Sequence, residues 1–192
     1  MKRNRLLSFL WTWIISLAMA QGIAGSLATA FDFGFPFRLW ATLAVGSGAV
    51  AALCAIPFGF LTGAITVGAA SYGLWRWGDL SGQLSTLVEE ITGCFRKGYG
   101  WPVLSWTEPL SADSVVLPFL LIGLFIALVT ARVVARRGRT FWAILAAAPF
   151  VSLCIVLNDT VPASIHIASV LFALTMLLLT QTLRRRDEQQ AN

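Results

Sequence analysis

The sequence predicts an all-α fold: a polytopic membrane helical bundle of six transmembrane helices with an outer amphipathic helix. Two observations carry this. Of 192 residues, 57% are hydrophobic and 12% charged, with mean hydropathy +0.77; a soluble domain carries about twice that charge. The apolar residues also come in blocks of roughly 17–25 with almost no ionisable groups, the length a helix needs to cross ~30 Å of hydrocarbon. A membrane barrel would need ~10-residue segments of alternating polarity, and the sequence has none.

The six blocks are Leu6–Ala30, Leu39–Ile56, Phe58–Leu74, Val115–Val134, Thr140–Leu157 and Val161–Leu183, in one membrane domain over residues 1–192. The first follows Lys2, Arg3 and Arg5, as a secretory signal would. It is long for a signal, and "ATAFDFGF" is a weak cleavage site, so the reading is an uncleaved span. The second and third blocks are joined at "AIPFG", where Pro57 breaks the helix and no charge intervenes, which predicts a tight hairpin. Ser114 is placed to cap the fourth block, with Pro118 in its first turn. Pro149, midway along the fifth in "AAAPF", should kink it. Asp159 or Thr160 is placed to cap the sixth, ahead of Pro162.

Charge sets the orientation, because loops on the cytoplasmic side retain Lys and Arg. Six crossings put both termini on one side. With both inside, that side holds Lys2, Arg3, Arg5, Arg132, Arg136, Arg137, Arg139, Arg184, Arg185 and Arg186, against Asp187 and Glu188. Ten basic less two acidic residues give +8 inside; the other four basic less seven acidic residues give −3 outside. The expected location is therefore the cytoplasmic membrane, multi-pass, with both ends cytoplasmic. The partners expected are the lipid bilayer and, on the cytoplasmic side, anionic headgroups. Nucleic acid would need a basic surface on a water-exposed domain. Trp40, Trp75, Trp77, Trp101 and Trp106 fall at the proposed outer interface, as an aromatic belt requires.

Small residues mark expected helix contacts: Gly59 and Gly63 as G-x-x-x-G, Gly48 and Ala52 as G-x-x-x-A, and Ala20, Ala24 and Ala28 at four-residue spacing. Such rows let backbones approach closely in lipid. The one sizeable polar piece is Arg76–Ser114. In "DLSGQLSTLVEEITGCF", Leu80, Leu84, Leu87, Val88, Ile91 and Phe95 form a helical stripe. This predicts an amphipathic helix over about 80–96, on the outer membrane surface or across the bundle top.

Chemistry is sparse. Cys54, Cys94 and Cys154 sit on separate segments without CxxC or a Cys/His cluster, so no metal site or disulfide framework is expected. His166 is the one histidine, about 8 Å below the outer surface by helix rise. It and Gln21 are polar intramembrane contacts, with interhelical hydrogen bonding as their role. Glu89 and Glu90 read as a solvated face. G-x-S-x-G and phosphate-cradling motifs are absent. No span carries Asp, Glu or Lys well inside it, which argues against an ion-driven pump. No catalytic residue and no cofactor is expected.

"GYGWPV" after the amphipathic helix, "ARVVARRGRT", "LAAAPFVSLCIVLNDTVP" and "LLLTQTLRRRDEQQAN" together resemble the N-terminal membrane region of bacterial transglutaminase-like membrane proteins. The resemblance covers about Gly78 to Asn192, preceded by a generic three-span start. It implies a non-catalytic membrane anchor. It also implies a further span after the basic stretch and an outer transglutaminase-like domain with a Cys-His-Asp triad. Here the chain stops before that span, and the triad cannot be placed on Cys54, Cys94, Cys154 or His166. The tail "RRRDEQQAN" then reads as a connector. A second reading is a small-molecule transport subunit: six spans in this length resemble the substrate-binding subunits of vitamin transporters, with Gln21 and His166 as candidate polar lining.

Overall fold

The computed structural model describes residues 5–30, 37–54, 77–99, 116–135, 140–157 and 164–190, together with Gly63, Val67, Gly68, Ser71, Tyr72 and Trp75. Of Arg5, Glu90, Ile91 and residues 94–99, 155–157 and 184–190 the backbone alone is described. Six helices are formed among the described residues: α1 (Arg5–Ala30), α2 (Phe37–Cys54), α3 (Trp77–Tyr99), α4 (Val116–Ala135), α5 (Thr140–Leu157) and α6 (Ser164–Gln190). Four contain stretches long and apolar enough to cross a membrane: Leu6–Ala30, Phe37–Cys54, Val116–Ala135 and Ser164–Leu183. In α5 the apolar stretch Thr140–Cys154 is shorter. The third apolar block, with the proposed hairpin at Pro57, lies mostly outside the described residues, as do the caps assigned to Ser114, Asp159 and Thr160.

α2 is described from Phe37 to Cys54. α6 starts at Ser164 and runs through Arg184–Arg186 to Gln190, well past the apolar block. Arg, Glu and Gln are good helix formers, so the basic run carries the helix on.

α1 is the hub. It packs against α4 and α6 most extensively, and also against α2 and α5. Its second half is buried around most of its circumference, with Met19, Ala20, Ile23, Ala24, Leu27 and Ala28 in the core. Without a hydrophobic force between helix and lipid, such a hub needs close contact instead. Small residues provide it. A Cβ on Gly46 of α2 would stand 2.5 Å from Leu124 Cδ2 of α4, and one on Gly123 of α4 would stand 2.6 Å from Leu43 Cδ2 of α2. Each glycine thus receives a leucine from the facing helix, and the two knobs interlock. Ala24 of α1 closes the same junction, 3.6 Å from that position on Gly123.

α3 seats on α4 and α5. α6 is the least embedded of the apolar helices: only 11% of its apolar window is buried, against 33–44% for the other three. Its principal support is α1.

Candidate functional site: the seam between the first and last helices

Of the polar residues singled out in the sequence, His166 lies where α6 crosses α1. Gly25 has no side chain, and the His166 imidazole fills the place where one would stand. One turn earlier, a Cβ on Gly22 would lie 2.9 Å from the His166 carbonyl oxygen and 2.5 Å from Val170 Cγ2. The backbone of α6 therefore lies almost directly on α1 at this crossing, which any β-carbon at 22 or 25 would prevent. At the other end of the seam Trp11 Nε1 donates to Thr180 Oγ1 at 3.0 Å. The two helices thus run antiparallel, zipped about four turns apart at Trp11–Thr180 and Gly25–His166.

Gln21 lies one turn below Gly25 on nearly the same face, by helix geometry. Its amide nitrogen Nε2 is buried and has no hydrogen-bond partner. A buried donor left unmade costs about 1–3 kcal/mol. The seam thus combines an imidazole, an unanswered amide donor and a glycine floor. It can hydrogen-bond an acceptor and orient it, and it offers no second titratable group for proton transfer. Among the described residues, no three His, Cys, Asp or Glu side chains gather as a metal site would require.

The remaining sites are structural in geometry. Ala20, Ala24 and Ala28 are all fully buried. Gly59 lies outside the described residues, and a Cβ on Gly63 would meet nothing within 4 Å. Gly48 serves a hydrogen bond rather than a backbone crossing: a Cβ there would lie 3.3 Å from Trp13 Nε1. Cys54 and Cys154 are buried and form no disulfide with each other. Thr130 and Thr140 each bury an unpartnered hydroxyl. Elsewhere in the bundle hydroxyls turn back onto their own helix, as with Thr12 to Ser8 O at 2.8 Å and Thr29 to Gly25 O at 2.8 Å.

Three contacts escaped the sequence reading. Gly22 and Gly25 are three apart and fit no four-residue row. Trp11 and Trp13, not singled out in the sequence, both donate to other helices. Gln83 of α3 accepts from the Leu117 backbone N–H at 2.9 Å, so it caps α4 from another helix. The signal for the last was a lone glutamine beside the stripe, which does not name its partner.

Helices of this length and polarity define a helical membrane protein. Comparison with known proteins leaves the class there: no family model matches the chain, and no curated protein or solved structure matches it.

Proposed function

We propose that this chain is a non-catalytic integral membrane anchor, a multi-pass bundle of the kind that precedes the outer domain in transglutaminase-like membrane proteins. The observation that carries this is the shape of α6. It continues as one helix from Ser164 to Gln190, through the arginines and beyond its apolar part. A rigid rod leaving a bundle whose junctions are filled by interlocked side chains suits a platform. In this reading the third block and α5 also cross, giving six spans with both termini cytoplasmic. The arginines then sit at anionic headgroups.

The test is a chain carrying a reporter after Asn192, expressed in bacterial cells. Membrane retention at alkaline pH, with a cytoplasmic reporter and Cys94 labelled by an impermeant thiol reagent from outside, supports the reading. Release of the chain, or labelling of Cys94 only after lysis, overturns it.

The unpartnered Gln21 amide favours one second reading, a subunit that binds a small molecule for transport. A ligand acceptor would satisfy that donor. Native mass spectrometry of chain purified from membranes separates the two: a stoichiometric small molecule lost in Gln21→Leu favours transport, and an empty chain favours the anchor.

A further inference from the structure

The stripe of α3 does not act as one face. By helix geometry it divides into two, about a third of a turn apart. Leu80 and Thr86 are 8% exposed, Leu87 packs against the core, and Gln83 caps α4; this side is the seat on the bundle. Trp77, Leu84 and Val88 stand on a second ridge, 58%, 37% and 45% exposed. A helix that only roofed the bundle would keep its large apolar residues on the seated side.

The second ridge carries no charge. Its polar members, Ser81 and Thr92, spend their hydroxyls on their own helix: Ser81 donates to Gly78 O at 3.0 Å and Thr92 to Val88 O at 2.6 Å. Among the described side chains of the ridge, the Trp77 indole N–H is then the one donor left, a group suited to the headgroup level. Ser85 and Glu89 occupy the remaining side. The approach to α3 is aromatic: Tyr72 and Trp75 meet edge to face at 6.2 Å, both exposed, just before Trp77. Exposed Tyr and Trp together with an uncharged apolar ridge are the chemistry of the headgroup–acyl boundary.

The geometry points to α3 as an in-plane helix with two partners: the bundle on one flank, and phospholipid of the outer leaflet on the other, held by Trp77, Leu84 and Val88. This rests on the membrane reading above and assigns the outer segment its own lipid site. The occupant is lipid rather than protein because the exposed strip is one helix wide, its described side chains carry no charge, and its apolar residues are continuous with the exposed aromatics Tyr72, Trp75 and Trp77.

The test uses the full chain in phosphatidylcholine/phosphatidylglycerol nanodiscs. Nitroxide labels are placed singly at L84C, V88C and S85C on a C94S background, leaving the buried Cys54 and Cys154 in place. Relaxation by oxygen, which concentrates in lipid, is compared with relaxation by a water-soluble nickel chelate. The expected result is oxygen dominance at 84 and 88 and nickel dominance at 85. Nickel dominance at 84 and 88, or protection there from both reagents, overturns the proposal; protection would indicate a protein partner. A label at F125C, exposed on α4, separates the two failures: oxygen access there with nickel access at 84 sinks only the α3 site, whereas nickel access at 125 sinks the membrane reading. Should a labelled variant misfold, quenching by brominated lipid is measured on the unlabelled chain and on W77F. A quenched component that disappears in W77F supports the lipid seat, and equal quenching in both opposes it.

Discussion

Trp13 of α1 donates its indole N–H to the carbonyl oxygen of Ala44 in α2 at 3.0 Å. The same oxygen also accepts from Ser47 Oγ at 3.1 Å. Gly48 stands one turn further along α2, where the absent Cβ leaves the indole its path. Interhelical hydrogen bonds in membranes contribute about 0.6 kcal/mol on average and up to ~1.7. Trp13→Phe keeps most of the ring's packing and removes the donor. It should cost about 1 kcal/mol, read as a lower midpoint on titrating micelles with denaturing detergent. Gly48→Ala should cost a similar amount by displacing the same ring. If the indole bond is the reason, Gly48→Ala should add little to Trp13→Phe.

Gly25→Val places branched carbon in the position of the His166 ring. Overpacking of this kind costs about 1–3 kcal/mol, here concentrated on α6, which has little other support. Detergent titration should show α6 detaching first, seen as early exposure of its amides to hydrogen exchange. Gly63→Ala is the matched control, since nothing stands within 4 Å of the added methyl, and it should leave the midpoint unchanged.

Gln83→Leu keeps the side-chain bulk of α3 and removes the acceptor for the Leu117 N–H. Loss of a cap costs about 0.5–2 kcal/mol. Hydrogen exchange should quicken at the first turn of α4 and in α3 while the α1–α6 seam stays protected. Uniform acceleration across the bundle would show that Gln83 supports more than this junction.

Gln21→Leu removes a buried donor that has no acceptor. In the anchor reading it should stabilise the chain by about 1 kcal/mol, because an apolar group of similar shape relieves an unmet desolvation cost. Destabilisation would show that the amide is answered in the membrane, by water or by a bound molecule.

The helices were legible in the sequence because the bilayer imposes length, and length survives without knowledge of partners. The apolar blocks at 6–30, 115–134 and 140–157 coincide with α1, α4 and α5 to within a residue or two. The overrun of α6 was not legible, since a charged run can equally end a helix. Packing was less legible still. A G-x-x-x-G row reports only spacing along one helix, whereas Gly123 matters because Leu43 arrives at its height from α2. Gly22 and Gly25 acquire meaning only from His166, whose sequence position gives no hint of α1. The two flanks of α3 could not be separated by periodicity, because Leu80 and Leu84 differ by only one turn and about 40°. What divides them is the position of α4 and α5.

The union of Trp11 with Thr180, and of Gly25 with His166, has a consequence in time. Residue 166 leaves the ribosome 141 residues after residue 25. At bacterial rates of about 5–20 residues per second, that interval is roughly 7–28 s. Throughout it the notch at Gly22 and Gly25 has no His166 or Val170 to fill it. A chain interrupted before α6 would leave Gly22 and Gly25 uncovered. The α1–α6 seam is thus the last of these contacts that synthesis allows, and α1 must be in place well before it can close.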